Sequence, residues 1–458
     1  MPLPSLSSSL KLASLALLTA ITQAVPLNDG AETKLPTDDA FYSLPDDLAA
    51  ARPGDILRHR KPPAPIAAFS VSRQNLKDSH QILYRTTDNF GNATATVLTV
   101  LVPHNADYGK IVSQQLIEDA PYANCAPSYA LQLGSNEGGL FGTIQEQSEI
   151  ILIDAFLAEG WIVIMPDYEG PRGEFLANLQ AGNAVLDGVR AALASTSITG
   201  ISKNASVALN GYSGGAVAAT FAAERQPSYA PELKIAGAVI GGPVPNLLNS
   251  FMAMNKGPFA GLIPAGIGGL SIAYPVIEKL MQDQLRQRFK AKFYKARKQC
   301  IGTTMLENLF TDYISQVQEP STFSTEPALS VLNANSAGKH VPTMPLFVLK
   351  SVHDEVSFVA DTDALVKFYC DGGTPVEYIR DFASEHATLA VTSATLVLPW
   401  LKKVLNGQQA VPEGCSTRSV LTTLHDPSTA GLPKFFLDAL KGLLRRPIGP
   451  AGFLKGHE

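Results

Sequence analysis

Charged side chains are scarce in this 458-residue chain. Asp, Glu, Lys and Arg together make up 17% of it, and the formal net charge is −5. There is no long run of Lys and Arg, so the sequence lacks the basic surface that binds nucleic-acid phosphates. Hydrophobic residues make up 45%, which is enough for a large buried core. We therefore expect one large globular domain with insertions and no nucleic-acid partner.

Cysteine is rarer still. The four cysteines are Cys125, Cys300, Cys370 and Cys415, and no two of them form the Cys-x-x-Cys pair of a zinc or redox site. We therefore predict no bound metal. In a secreted protein an even number of cysteines favours disulfides, and four cysteines allow three pairings.

An uncharged stretch, residues 12–24, follows Lys11. It is too short to span a bilayer, and a charged segment follows it. Residues 1–24 are therefore predicted to be a secretory signal peptide rather than a buried helix. Glycosylation sequons at Asn92 and Asn204 are consistent with the same route. The sequence thus predicts a secreted, extracellular protein.

Short apolar segments alternate with helical ones over most of the chain. A polar–apolar alternation over residues 81–101 predicts a β-hairpin. Buried parallel strands are predicted at residues 111–117, 161–165, 207–209, 236–240, 346–349 and 376–379, and helices at 150–158, 174–193, 215–224, 361–369 and 388–404. Strands that alternate with helices indicate an α/β fold with a mostly parallel sheet and helices on both faces.

The alternation stops between residues 243 and 339. This segment contains an uncharged stretch, residues 257–277, whose five Gly and three Pro argue against a membrane helix, so we predict no integral membrane segment in the mature chain. We interpret residues 243–339 as an inserted cap over a pocket, with buried core as the alternative. The predicted core is then residues 25–242 and 340–410, and residues 411–458 form a C-terminal tail.

A Gly-x-Ser-x-Gly motif lies between a predicted strand and a predicted helix. Residues 211–215 read Gly-Tyr-Ser-Gly-Gly, and a nucleophilic serine is held on a sharp turn in this strand–turn–helix context. Small residues are required because the turn packs the helix closely against the strand. We predict that Ser213 is a nucleophile. A Gly-rich turn with a capping serine is the alternative.

A serine nucleophile needs a histidine to accept its proton and an acid to orient that histidine. On this fold the three residues follow in the order Ser, acid, His. His386 lies between a predicted strand and a predicted helix, and Asp354 follows the strand at residues 346–349. We therefore predict His386 as the base and Asp354 as the acid, with Glu355 as the second choice for the acid.

Several further segments resemble those of the fungal secretory lipase family. They are Glu118-Asp119-Ala120, Cys125-Ala126-Pro127-Ser128-Tyr129, Leu186-Asp187-Gly188-Val189-Arg190, Tyr229-Ala230-Pro231-Glu232-Leu233, Gly257-Pro258-Phe259-Ala260-Gly261, Glu385-His386 and Gly456-His457-Glu458. The resemblance covers nearly the whole mature chain. It implies an α/β-hydrolase fold with a helical cap and a C-terminal flap. It also implies hydrolysis of acylglycerol esters at a lipid–water interface without a cofactor.

The same resemblance implies roles for particular residues. It assigns Ser213, Asp354 and His386 as above, and it adds an oxyanion hole formed by Asp119 and the backbone N–H of Gly214. A carboxyl group donates a hydrogen bond only when protonated, so Asp119 would need a pKa raised by burial or by a neighbouring carboxylate. A loop-capping carboxylate is the alternative for Asp119.

The resemblance further implies that Cys125 pairs with Cys300 and Cys370 with Cys415. Two other functions fit the same fold. A secreted carboxylesterase or deacetylase of small acylated metabolites would use the same residues, and a non-catalytic binding protein could keep the architecture. The ordered serine, acid and histidine favour an enzyme over a binding protein.

Overall fold

The computed structural model describes residues 33–68, 72–135, 142–411 and 414–423. The predicted signal peptide lies outside the described residues, as do residues 424–458 of the predicted tail. A ten-stranded sheet runs through the structure. In chain order its strands are β1 (Ile56–Arg60), β2 (Asp78–Thr87), β3 (Ala93–Val102), β4 (Asp107–Gln115), β5 (Trp161–Pro166), β6 (Ser206–Tyr212), β7 (Ile235–Gly241), β8 (Leu346–Ser351), β9 (Val376–Asp381) and β10 (Cys415–Val420).

The spatial order of the strands is β1-β2-β3-β5-β4-β6-β7-β8-β9-β10. Strands β1, β2 and β3 form an antiparallel edge, and β3 pairs antiparallel with β5. From β5 to β10 every neighbouring pair is parallel. The mostly parallel sheet predicted from the alternation is therefore confirmed.

The helices surround this sheet. The α-helices among the described residues are α1 (Pro127–Ala130), α2 (Ile144–Ser148), α3 (Ile150–Ala158), α4 (Asn178–Ala194), α5 (Thr196–Thr199), α6 (Gly214–Tyr229), α7 (Leu247–Met254), α8 (Leu262–Ala273), α9 (Pro275–Gln284), α10 (Gln287–Lys295), α11 (Ile301–Glu307), α12 (Ala328–Ala334), α13 (Val359–Asp371), α14 (His386–Thr392) and α15 (Ala394–Leu405). Helices α7 to α12 lie between β7 and β8, and most buried apolar side chains of α7 to α10 and α12 form a cluster separate from the two that line the sheet.

Both faces of the sheet are buried. Successive side chains of a strand point to opposite faces, so neighbouring residues of one strand pack against different helices. In β5, Ile162 and Ile164 join the cluster that contains residues of α4 and α6. Their neighbours Val163 and Met165 join the opposite cluster, with residues of α3 and α15. Helices therefore cover both faces, as a parallel sheet requires.

The predicted helix at residues 388–404 is two helices, α14 and α15, bent by 52°. At the break the N–H of Leu396 bonds to the carbonyl of Ser393, three residues back, and the Thr395 hydroxyl bonds to the carbonyl of Thr392. These local bonds replace the regular helical pattern. No single helix in the described part is long and apolar enough to cross a bilayer, although α14 and α15 reach that length and composition together.

The segment after residue 410, predicted as a C-terminal tail, contributes β10 to the sheet. Most side chains of β10 are exposed, so the strand carries no apolar pattern by which it could be predicted. A disulfide joins Cys415 in this strand to Cys370 in α13, and a second disulfide joins Cys125 to Cys300.

Replacing Cys370 and Cys415 together with alanine should lower the free energy of unfolding by about 2–4 kcal/mol, because the crosslink restricts the unfolded chain. Few apolar contacts hold β10, so its amides should lose the most protection. Urea denaturation and amide hydrogen exchange measure these two effects. If neither changes, pairing with β9 alone holds this edge of the sheet.

Candidate active site

Four loops meet at the carboxyl ends of the parallel strands, where ligands bind in open α/β sheets. Asp119 follows β4, Ser213 follows β6, Asp354 follows β8 and His386 follows β9. The parallel pairing of these strands places all four loops at the same edge of the sheet. The structure thus brings together residues that are far apart in sequence.

Ser213 lies in a strained turn. Its φ of 52° and ψ of −118° are rarely adopted by non-glycine residues. The helix approaches so closely that a Cβ on Gly211 would lie 2.2 Å from the carbonyl oxygen of Gly215, and a Cβ on Gly215 would lie 2.1 Å from the carbonyl oxygen of Gln115. Both glycines are therefore needed for the turn that presents the serine hydroxyl.

The three predicted triad side chains form one hydrogen-bonded chain. Nε2 of His386 lies 2.9 Å from Oγ of Ser213, and Nδ1 of His386 lies 2.7 Å from Oδ2 of Asp354. All three residues are buried, with exposures of 4%, 6% and 7% for His386, Ser213 and Asp354. This geometry allows a proton to pass from the serine to the histidine while the carboxylate orients the ring.

Asp354 is held as a carboxylate. Its Oδ1 accepts hydrogen bonds of 2.9 Å from the backbone N–H groups of Val356 and Ser357. Burial would raise the pKa of Asp354, but hydrogen bonds and charges from His386 and Lys350 outweigh it and hold the pKa well below its usual range. Asp354 is therefore ionised at all working pH values.

Two residues hold the backbone of His386 through contacts that the sequence did not predict. Oε2 of Glu355 accepts a hydrogen bond of 2.9 Å from the backbone N–H of His386, and the Tyr212 hydroxyl donates one of 2.6 Å to its carbonyl oxygen. Glu355, the second choice for the acid, thus contacts the backbone of the histidine and leaves its ring to Asp354. Tyr212 lies inside the serine motif, but nothing in the motif indicates this contact.

The predicted oxyanion donors lie side by side. Gly214 is the first residue of α6, so its N–H has no partner within the helix. A Cβ on Gly214 would lie 1.7 Å from Oδ1 of Asp119, which shows how closely the carboxyl group approaches. Among the described residues, Oδ1 has no hydrogen-bond partner.

The protonation state of Asp119 suits a donor. The residue is buried, and burial raises its pKa to about 7. Other buried carboxyl groups surround it. Burial first, and neighbouring carboxylates second, raise the pKa of Glu118 and of Glu169 well above the usual range. This region therefore favours protonated carboxyl groups at acid and neutral pH.

An apolar pocket opens at the serine. Its lining combines Asp119, Ser213 and Gly214 with apolar side chains from the cap and the core, namely Phe175, Leu176, Val217, Val244, Leu247, Phe251, Met254, Leu262, Ile263, Ile267, Leu270, Leu332 and Val356, and with Ser250 and Gly266. The helices α7 and α8 contribute most of these side chains. A hydrocarbon chain attached to the reacting group fits such a surface.

The remaining predicted residues lie outside this site. The sequon residues Asn92 and Asn204 are both exposed, as glycosylation requires. Within the described ranges, no group of three or more His, Cys, Asp or Glu side chains is arranged to hold a metal ion.

The chain is similar to known proteins over most of its length. Residues 135–413 match the family model described as secretory lipase. Lipase A of Arthroderma benhamiae is 45% identical over 420 residues, which cover 91% of this chain and 89% of that protein. A Mycobacterium tuberculosis protein named a probable inactive lipase is 35% identical, covering 90% of this chain and 93% of its own. The structure of Candida antarctica lipase A in its closed state matches with a TM-score of 0.78 and 27% identity, covering 92% of this chain and 99% of that one.

Asp119→Ala should lower kcat for ester hydrolysis by about 10²- to 10³-fold, the usual loss for one oxyanion donor. Asp119→Asn should retain far more activity, because the amide still donates a hydrogen bond and because Asn tolerates the positive φ of 48° at this position. Initial rates on a soluble ester measure both effects.

The wild-type protein and Asp119→Asn should also differ in how the rate of ester hydrolysis depends on pH. The pKa of Asp119 is about 7, so the wild-type donor is present below that pH and is lost as the pH rises through it. The asparagine amide does not titrate, and Asp119→Asn should lack this alkaline decline. An alkaline decline shared by both proteins, or Asp119→Ala at wild-type activity, would remove Asp119 from the oxyanion hole.

Proposed function

The chain belongs to the secretory lipase family, and we propose that Ser213, His386 and Asp354 hydrolyse acylglycerol esters through an acyl-enzyme intermediate. The observation that carries this proposal is the continuous chain of short contacts from Ser213 Oγ through His386 to Asp354 at the end of an apolar pocket. Secreted action at a lipid–water interface, after cleavage of a signal peptide near residue 24, is part of the same proposal.

The chemistry follows from the position of each proton. Neutral His386 holds its proton on Nδ1, toward Asp354, so Nε2 is free to accept the proton of the Ser213 hydroxyl. Oγ of the serine attacks the ester carbonyl, and His386 then gives the proton to the leaving alcohol. Water repeats the cycle on the acyl enzyme and releases the fatty acid.

Negative charge develops on the carbonyl oxygen during each attack. The N–H of Gly214 and the protonated carboxyl of Asp119 are the donors proposed for it, and the amino-terminal end of α6 adds its positive dipole. These groups are already in place before the reaction, so little reorganisation accompanies charge development. No cofactor is needed for any of these steps.

The pocket favours a long acyl chain over a small acyl group. An acetyl group would leave most of the apolar lining unfilled, whereas each buried methylene of a fatty acyl chain contributes roughly 0.8 kcal/mol to binding. The outer surface of the cap also carries exposed apolar side chains, including Leu306, Leu309 and Phe310. These support contact with a lipid surface.

The first experiment compares the wild-type protein with Ser213→Ala on an ester series from acetyl to long-chain acyl and on an emulsified triacylglycerol. We expect high activity on long chains and on the emulsion, and loss of at least about 10³-fold in the variant. Activity confined to acetyl and butyryl esters would identify a metabolite esterase instead. No difference between the two proteins would exclude Ser213 as the nucleophile, and a folded protein inactive on every ester would identify a binding protein.

Gly266→Leu should shift chain-length preference toward short acyl groups. Gly266 lines the pocket, and a Cβ there would lie 2.6 Å from Cδ1 of Leu176, another lining residue. The added side chain must therefore occupy pocket space or displace Leu176 into it. The ratio of kcat/KM for a long-chain ester to that for a butyryl ester should fall by about tenfold or more. An unchanged ratio in a folded variant would place the acyl chain elsewhere.

A further inference from the structure

A fully buried lysine contacts the catalytic acid. Lys350 lies near the end of β8, and its side chain has no solvent exposure. Its Nζ donates a hydrogen bond of 2.9 Å to Oδ2 of Asp354 and one of 3.0 Å to the carbonyl oxygen of Pro243. These bonds join the loops that follow β7 and β8, directly behind the triad.

The lysine and the histidine share one carboxylate oxygen. Oδ2 of Asp354 is also the atom that lies 2.7 Å from Nδ1 of His386. The ammonium and the imidazole are therefore within two hydrogen-bond lengths of each other. When His386 takes up a proton during catalysis, two positive charges lie close together around a single negative one.

The ammonium group is costly at this position. Burial lowers the pKa of Lys350, and the nearby Asp354 carboxylate opposes that effect. Preceding residues of β8, such as Val348 and Leu349, are buried and apolar. An apolar side chain at residue 350 would avoid the desolvation of the ammonium, but it would take one donor from the Asp354 carboxylate and from the Pro243 carbonyl.

We propose that Lys350 is a positioning residue that holds Asp354 and weakens the affinity of His386 for protons, so that the histidine remains a neutral base at lower pH. The inference rests on the triad proposed above. The direction follows from electrostatics: the negative charge of Asp354 stabilises the protonated histidine, and the positive charge of Lys350 neutralises part of that stabilisation and repels the imidazolium.

The other ionisable groups near the pair act in the opposite direction. Asp361 in α13 and Glu355 in the loop after β8 face Lys350. The Tyr212 ring packs against His386. The charges of Glu355 and of Asp381, at the end of β9, act on this tyrosine. Negative charges on these groups favour a protonated histidine. Lys350 is the positive charge in contact with Asp354 that opposes them.

The test compares Lys350→Met and Lys350→Gln with the wild-type protein. Methionine removes the charge and the donor, and glutamine keeps a neutral donor. The matched control is Lys367→Met, because Lys367 forms the same kind of pair with Asp371, four residues later, on an exposed helix surface. For each protein, kcat/KM on a soluble ester is measured from about pH 4 to about pH 9, since its acid limb reports the histidine of the free enzyme. Rates are normalised to active sites titrated with a serine-directed phosphonate.

We expect the midpoint of the acid limb to rise by about one pH unit or more in both Lys350 variants. The plateau above neutral pH should fall less in Lys350→Gln, which keeps a donor toward Asp354, than in Lys350→Met, and Lys367→Met should match the wild type throughout.

Three results would overturn the inference. The first is an acid midpoint in Lys350→Met equal to that of the wild type. The second is a shift in Lys350→Met that Lys350→Gln reverses, which would assign the effect to the hydrogen bond and not to the charge. The third is failure of both variants to fold, which would make Lys350 a structural residue. Failure of the triad itself is seen separately, as full activity of Ser213→Ala.

Discussion

The close approach of β6 to α6 is the constraint on which the site depends. Between Gly211, Gly215 and the carbonyl of Gln115 there is no space for a Cβ. The chain can pass from strand to helix over so short a distance only by adopting a strained conformation at Ser213. That conformation points the hydroxyl toward His386 and the pocket and places the first free N–H of α6 beside it. The proposed nucleophile and one proposed oxyanion donor therefore result from one packing contact.

The remaining groups reach the serine because the strands are parallel. Each of the four loops at this edge of the sheet carries one side chain of the proposed site, and the distances between these side chains are set by strand spacing rather than by local sequence. Contacts from a second set of residues then refine the geometry. Glu355 and Tyr212 hold the backbone of His386, while Lys350 and two backbone N–H groups hold Asp354. The reacting groups are thus positioned before substrate binds.

Burial has opposite consequences for the two carboxyl groups of the site. Asp354 is surrounded by donors and a positive charge, so it remains ionised despite its burial. Asp119 is buried, its Oδ1 has no partner among the described residues, and its pKa is raised to about 7. The same residue type can therefore orient a base at one position and donate a hydrogen bond at the other. Burial destabilises the ammonium form of Lys350, and the contact with the Asp354 carboxylate offsets this effect.

The sequence by itself determined the alternation of strands and helices, the serine turn, and the order of Ser213, Asp354 and His386. Each of these is a local signal: a periodicity of side chains or a short motif between two elements. Strand β10, the break at Ser393, the role of Glu355 and the contact of Lys350 with Asp354 were decided only by the tertiary structure. Exposed edge strands have no apolar pattern. Likewise, the partner of a buried polar group lies on another strand or loop, at a distance that depends on how the whole sheet packs.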